Sequence, residues 1–587
     1  MNIVITGQGI ISALGVGVHD TLLALQERRT GIGTMRHLPS THHELPVGEV
    51  HLDNEQMKAS LGIDPTHEVS RTALMGMMAV REALQQAGLP CGDEPKCHMT
   101  LISGTTVGGM DITERHYATF GSSDTHLDNL LQHECGASTE LMARHFGFFH
   151  DCTTISTACS SAANAIILGA RLIEAGDADI VVAGGSEALT CFHLNGFNSL
   201  QILDHKPCRP FDAERAGLNL GEGAAFVVLE REEAARRRQA HILGYLSGYG
   251  NACDAFHQTA SSDAGEGAYL AMNQALETAG LRPCDIGYVN AHGTATPNND
   301  QSESMALKRI FGQAMPPVSS TKGFTGHATS AAGGIEAVIS LLALQHGFVP
   351  ANLGWAHPMC DGITPSMGVE HCPLDHVMCN SFGFGGNDSS LVFSRHSHAH
   401  VERPLLPDAE VKVLSQVTLA DEAQLADIRQ YVKPMEARRM GRLIKAALLT
   451  SLQALEQAGI DCPDAIITAT ARGCLDNSER LLDQLRDEGE VLLKPTLFMQ
   501  STHNTIGSAI AIHLGCHGYN VTYSHGDRSL EWALRDARLL LRSGLCRTVL
   551  VGLHDEATPL YRSFIQRMGG TDLPAINAQA IVLSCGS

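Results

Sequence analysis

One helix-ending phrase occurs three times in this chain, and that repeat limits the possible folds more than any other feature. Glu82-Ala83-Leu84-Gln85-Gln86-Ala87-Gly88-Leu89 returns as Gln274-Ala275-Leu276-Glu277-Thr278-Ala279-Gly280-Leu281 and again as Gln453-Ala454-Leu455-Glu456-Gln457-Ala458-Gly459-Ile460. Each copy closes a segment of helical periodicity with a glycine where a C-cap belongs. Each then leads, within about a dozen residues, into a β-rich run: Met99-Thr100-Leu101-Ile102, Ile286-Gly287-Tyr288-Val289 and Ala465-Ile466-Ile467-Thr468. Helix then strand, three times over, is the grammar of a layered α/β protein. The first and third units match over a longer stretch. Asp111-Ile112-Thr113-Glu114-Arg115 parallels Asp476-Asn477-Ser478-Glu479-Arg480, His145-Phe146-Gly147 parallels His513-Leu514-Gly515, and Ile180-Val181-Val182-Ala183-Gly184 parallels Val549-Leu550-Val551-Gly552.

The polar, proline-bearing stretch from His396 to Pro407 has no apolar period and reads as a linker. The expected division is therefore 1–240 and 241–395 as two related halves, 396–410 as linker, and 411–587 as a further unit. At 587 residues, more than one core is required. No apolar run reaches the ~18 residues of a membrane span, and the opening Met1-Asn2-Ile3-Val4-Ile5-Thr6-Gly7 looks like a strand rather than a leader. Seventeen cysteines without a Cys-x-x-Cys pair fit reduced thiols in a cytoplasm better than disulfides or a zinc cage. A formal charge of −22 disfavours nucleic acid and anionic membranes as partners.

Cys159 stands among small residues in Ser156-Thr157-Ala158-Cys159-Ser160-Ser161, just before an amphipathic helix. A thiol there gains thiolate character from unpaired backbone N–H groups, although an isolated cysteine is more often a small core residue. Two other segments change that balance. Tyr288-Val289-Asn290-Ala291-His292-Gly293-Thr294-Ala295-Thr296-Pro297 and Ser319-Ser320-Thr321-Lys322-Gly323-Phe324-Thr325-Gly326-His327 each run from a strand into a loop bearing a histidine, where α/β sheets present their sites. Asn380-Ser381-Phe382-Gly383-Phe384-Gly385-Gly386 is a glycine-rich turn with two phenylalanines. The partial fingerprint Gly7-Gln8-Gly9 lacks the third glycine of a dinucleotide loop.

These segments, together with Gly184-Gly185-Ser186-Glu187, Arg209-Pro210-Phe211-Asp212 and Gly221-Glu222-Gly223-Ala224, occur in one order from Met1 to about Arg395. The chain there resembles the elongating β-ketoacyl-acyl-carrier-protein synthases of the thiolase superfamily. The resemblance implies an α/β thiolase-like fold, layered α-β-α-β-α and made of two related halves. It also implies a ping-pong reaction. Cys159 takes an acyl group from one carrier protein, and malonyl-carrier protein loses carbon dioxide and attacks the acyl-cysteine. His292 and His327 would stabilise the enolate through Nε2–H, and the backbone N–H groups of Cys159 and Phe384 would form an oxyanion hole. Lys322 would set the local electrostatics, Glu336 the loop geometry and Phe384 the gate of an acyl tunnel. Thr294 and Thr296 would grip the phosphopantetheine arm, which the carrier protein brings with it. No metal or freely bound cofactor is required. Where the family writes Gly-Gly-Thr-Asn, this chain has Gly385-Gly386-Asn387-Asp388, and neither polar residue is assigned a role.

The offset of 368 residues between His145 and His513 carries Cys159 onto Asp527, so the third unit is expected to lack the nucleophile. No counterpart of the His292 or Lys322 loops follows it, and condensation there is not expected. The unit resembles half of a chain-length factor, and Gln500-Ser501-Thr502-His503-Asn504-Thr505-Ile506-Gly507 is similar to that group. The expected assembly is a homodimer, with an intrachain pseudo-dimer as the alternative. Lys433, Arg438, Arg439, Arg442 and Lys445 cluster on a predicted helix as a candidate dock for an acidic carrier protein, the plain alternative being a solvated helix face. A degradative thiolase would carry a second cysteine where Phe382 and Phe384 stand, and an initiating condensing enzyme would have Asn in place of His327. A scaffold or chain-length factor throughout is the non-catalytic alternative. The fused unit points to fatty-acid or type II polyketide synthesis of a specialised kind, such as aryl polyenes.

Overall fold

The computed structural model describes residues 1–89, 98–119, 126–397, 410–490 and 493–585, so the linker falls mostly outside the described residues. The first half supplies strands β1 (Ile3–Ser12), β2 (Gly15–Val16), β3 (Met99–Gly104), β4 (Asp151–Ile155), β5 (Ile180–Glu187) and β6 (Gly223–Arg231). The second supplies β7 (Gly244–Cys253), β8 (Tyr288–Asn290), β9 (Val318–Ser319), β10 (His376–Gly383) and β11 (Asn387–Ser394). The third unit supplies β12 (Val411–Thr418), β13 (Ala465–Ala469), β14 (Tyr519–Tyr523), β15 (Thr548–Glu556) and β16 (Ile576–Cys585). The helices that matter here are α1 (Arg71–Gln86), α2 (Cys135–Phe146), α3 (Ser161–Ala175), α4 (Glu266–Ala279), α5 (Ala332–His346), α6 (Arg442–Ala458) and α7 (Ser529–Arg542).

Helices α1, α4 and α6 each end at the repeated phrase, with Gly88, Gly280 and Gly459 at φ of 65°, 66° and 67°. A residue with a Cβ would be strained there, which is why the phrase ends in glycine. In the first two halves, α3 and α5 lie between the two sets of strands, with α1 and α4 outside them. This is the expected five-layer arrangement. Every residue of β1 is buried, its polar Thr6, Gln8 and Ser12 as fully as its aliphatic residues, so the strand has no solvent-facing side. Gly7 and Gly9 do not form a phosphate loop: a Cβ on either would run into the carbonyls of Ala83 and Ala79 on α1. They let that helix lie directly on the strand.

The third unit copies the first strand for strand. Its β13 pairs in parallel with β14 and β15, and β16 then pairs antiparallel with β15 and β12, as β3, β4, β5, β6 and β1 do. The two copies join edge to edge. Ile155 of β4 faces Tyr523 of β14 in antiparallel register. The Ser156 N–H donates to Thr522 at 2.9 Å, and the Ser524 N–H donates to Thr154 at 3.0 Å. These bonds make one 16-stranded sheet in the order β12-β16-β15-β13-β14-β4-β3-β5-β6-β1-β7-β11-β10-β8-β9, with β2 on β1. Cys135 and His503, 368 positions apart, meet at 3.9 Å on the pseudo-twofold axis. The edge of β4 is thus taken by the chain's own third unit, the intrachain pairing given above as the alternative to a homodimer. No helix among the described residues is long and apolar enough to cross a membrane.

Candidate active site

Strand β4 ends at Ile155, and the chain turns sharply before α3. Ala158 takes φ 50°, a left-handed conformation unusual for a residue with a side chain. The turn is held by Ser161, whose hydroxyl accepts from the Thr157 N–H at 2.9 Å and donates to the Ala158 carbonyl at 2.6 Å. Cys159 sits in this turn, 5% exposed, at the floor of a cavity of about 390 Å³ that also reaches Thr294, Thr296, Phe382 and Phe384. Its sulfur lies 3.0 Å from His327 Nε2. Burial raises the thiol to about 12, against the opposing pull of the Lys322 charge and the Phe384 N–H. Burial thus works against the thiolate character expected at the helix start.

His292 follows β8. Its own N–H and that of Gly293 donate to the two oxygens of Glu303 at 2.9 and 2.8 Å. Its ring meets that of His327 edge to face, centroids 5.3 Å apart. Lys322 Nζ stands 3.3 Å from His292 Nδ1 and also donates to the His292 carbonyl and to Glu336 Oε1. A donor at Nδ1 leaves the ring hydrogen on Nε2, facing the cavity. Burial, reinforced by Lys322, pushes both histidines well below their usual range, so both are neutral. Burial raises Glu336 to about 7 despite Lys322. Thr294 and Thr296 lie at the cavity mouth with hydroxyls 2.9 Å apart.

The third unit reaches this site. Asn504 donates to the Phe384 carbonyl at 2.8 Å and to the Asn387 Oδ1 at 2.7 Å, and Asn387 donates to the Asn520 carbonyl at 3.0 Å. The departure at Asn387 is thus where the third unit holds the Phe384 loop. Asp388 is turned inward beside Asp254 and Glu303, with its carboxyl held well above the usual range by burial. Phe384 stacks on Phe197 at 5.7 Å, and Phe498 of the third unit packs on the same ring at 5.2 Å. Sequence reasoning missed Glu303, Asn504 and Phe498. Glu303 could have been suspected from its place on the helix opened by Pro297, and Asn504 from its place in the Gln500 to Gly507 run, but nothing local marks Phe498.

The basic cluster does not lie on the single helix expected for it. Lys433, Arg438 and Arg439 flank the short helix Pro434–Ala437, and Arg442 and Lys445 belong to α6. All but Lys445 are exposed, and Arg442 is paired with Glu422. The cluster is tied to the segment that carries Asn504: Gln500, four residues before it, donates to the Arg439 carbonyl at 3.0 Å. In the third unit, the turn before α7 repeats the nucleophile turn. Gly526 has φ 54°, and Ser529 accepts from the His525 N–H at 2.8 Å. The residue in the position of Cys159 is Asp527.

Comparison with known proteins gives a consistent result. Residues 1–235 match the family model "Beta-ketoacyl synthase, N-terminal domain", residues 243–356 match "Beta-ketoacyl synthase, C-terminal domain", and residues 414–587 match a second N-terminal-domain model. The 3-oxoacyl-[acyl-carrier-protein] synthase 2 of Vibrio cholerae is 33% identical over 419 residues, covering 67% of this chain and 99% of that protein. Among solved structures, a ketosynthase (ApeO) in complex with its chain length factor (ApeC) from Xenorhabdus doucetiae is 33% identical with a TM-score of 0.56, covering 67% of this chain and 98% of that one. A PfaC keto synthase-chain length factor is only 17% identical but has a TM-score of 0.79, covering all 100% of this chain and 78% of its own, a likeness of fold.

Proposed function

Because the chain belongs to the β-ketoacyl synthase family, we propose that it is a 3-oxoacyl-[acyl-carrier-protein] synthase whose third unit acts as its own chain-length-factor-like partner. The observation that carries this reading is the convergence of Cys159, His292 and His327 on one buried point, with the Lys322–Glu336 pair behind them. In the first half-reaction, Cys159 attacks the thioester of an acyl-carrier protein, and the thiol proton leaves with the departing phosphopantetheine thiol. The negative charge on the carbonyl oxygen is met by the N–H groups of Cys159 and Phe384. In the second, malonyl-carrier protein loses carbon dioxide. The enolate oxygen that forms is stabilised by the Nε2–H groups of the two neutral histidines, Lys322 at Nδ1 leaving the ring hydrogen of His292 on Nε2. The enolate carbon attacks the acyl-cysteine, and collapse of the tetrahedral intermediate expels the Cys159 sulfur, which takes a proton from solvent.

Thr294 and Thr296 hold the phosphopantetheine arm at the mouth. Phe384 gates the way inward, with Asn504 and Phe498 of the third unit supporting it. The carrier protein docks beside that gate on Lys433, Arg438, Arg439, Arg442 and Lys445, local positive charge on an acidic chain. The reaction belongs to fatty-acid or polyketide-type synthesis. The test is intact-mass spectrometry of the full chain with a panel of acyl-carrier proteins, followed by malonyl-carrier protein. An acyl adduct that is discharged as an extended β-ketoacyl product is expected. Failure of every acyl group to load on folded protein would favour a non-catalytic scaffold instead.

A further inference from the structure

The turn that has lost its nucleophile has gained something else. Two side chains of the first unit and one of the third meet beside it, on the seam between them: Glu140 on α2, Cys152 on β4, and His525 at the start of the turn before α7. Cys152 and His525 are 6% and 3% exposed. Cys152 Sγ lies 3.6 Å from His525 Nε2 and 3.6 Å from Glu140 Oε1, and those two atoms are 3.3 Å apart. A tetrahedral zinc-class ion with ordinary bond lengths separates its sulfur and nitrogen ligands by roughly 3.6 Å, sulfur and oxygen by roughly 3.5 Å, and nitrogen and oxygen by roughly 3.4 Å. All three edges of the triangle agree. The ring is also oriented from behind, with His525 Nδ1 3.1 Å from the Thr154 hydroxyl, which in turn bonds Thr139 at 2.7 Å. Such outer support is characteristic of metal-ligating histidines.

We propose that Glu140, Cys152 and His525 bind one divalent transition-metal ion of the zinc class, clamping the third unit to the first. Cys152 gives up its thiol proton to solvent on binding. Thiolate and carboxylate then balance the two charges of the ion, and a fourth ligand comes from solvent on the side of Glu140, whose side chain is 35% exposed. Arg144 approaches the carboxylate at its other oxygen, 3.6 Å from Oε2, and leaves Oε1 to the ion. Two comparisons inside the molecule sharpen the assignment. The positions related by the pseudo-twofold are Ser508, Asn520 and Thr157, which offer no such set, so the trio belongs to one side of the seam alone. Cys159, His292 and His327 also cluster closely. There, however, the sulfur–nitrogen distance is 3.0 Å, too short for that tetrahedral edge, and the Lys322 ammonium stands 3.3 Å from a ring nitrogen.

The full chain, freed of metal by dialysis against a chelator, is titrated with cobalt(II) and followed by absorbance. The expected result is a near-ultraviolet sulfur-to-cobalt charge-transfer band with visible ligand-field bands of tetrahedral intensity, saturating at one equivalent. Cys152→Ser removes the charge-transfer band. Glu140→Gln, a change at a partly exposed side chain, keeps it but weakens binding at least about tenfold. Cys516→Ser titrates like the unaltered chain. A trio that is only hydrogen-bonded gives no such band and overturns the proposal. A band that survives Cys152→Ser, or an affinity unchanged by Glu140→Gln, overturns it equally.

Discussion

Helices α3 and α7 begin at the same kind of turn and live in different surroundings. In α3, every residue from Ser161 to Ile173 is buried, because the helix lies in the middle layer with α5 against one flank. In α7, Trp532, Ala533, Asp536 and Leu539 to Leu541 are buried, while Glu531 and Arg538 are exposed and Arg535 and Arg542 half-exposed. No helix among the described residues covers that side of α7. The strands differ in parallel: β1 is wholly buried, whereas its counterpart β12 is a sheet edge with Val413 59% and Leu414 42% exposed. Turn geometry and surroundings separate. A serine hydroxyl and a left-handed residue build the turn in both units, but only the first is buried beside Lys322, Glu336 and two neutral histidines, the setting on which the proposed chemistry rests.

The largest test of this comparison exchanges the two turns. Cys159→Ala should abolish the acyl adduct, while Asp527→Ala leaves loading intact and Asp527→Cys creates no second loading site, all read by intact mass. Next, Lys322→Met strands Glu336 in a buried pocket. A loss of about 3–5 kcal/mol in chemical denaturation is expected, with condensation by the folded fraction falling at least about a hundredfold. A third test uses protons. His554 of the third unit is fully buried and held at about 3 instead of 6.5. Between those values the unfolded chain binds the extra proton, so stability is present above pH 6.5 and is lost as the pH falls toward 3, at up to about 1.4 kcal/mol per pH unit for this group. His554→Asn should flatten that slope in denaturant titrations at several pH values. Asn504→Ala should cost about 1 kcal/mol and raise the KM for acyl-carrier protein several-fold by loosening the Phe384 loop, with Cys159 still loadable. The smallest effect is expected from Arg438→Glu with Arg439→Glu: a raised KM for carrier-protein substrates with kcat unchanged. An unchanged KM would remove the docking surface.

Much of this was legible in the chain. The thrice-repeated helix end signals three related units because a left-handed C-cap demands glycine wherever it occurs. The loops carrying Cys159, His292, Lys322 and His327 each announce themselves locally as a strand running into a turn, and the structure brings all four together. Asp527 follows from counting alone, since the offset of 368 recurs at Cys135 and His503.

What the sequence could not decide was contact between units. A linker with no apolar period imposes no orientation, so the intrachain pairing depends on β4 and β14 offering complementary hydrogen-bonding edges. That pairing in turn puts Asn504 on the Phe384 loop, Phe498 on Phe197, and His525 within reach of Glu140 and Cys152. These neighbours lie from 120 to 385 positions apart, as Phe384 and Asn504 at 120 and Cys152 and His525 at 373 illustrate. No period or motif spans such separations. The local code of turns and caps determined the units and the nucleophile, and the tertiary packing of one unit against another decided which residues became neighbours.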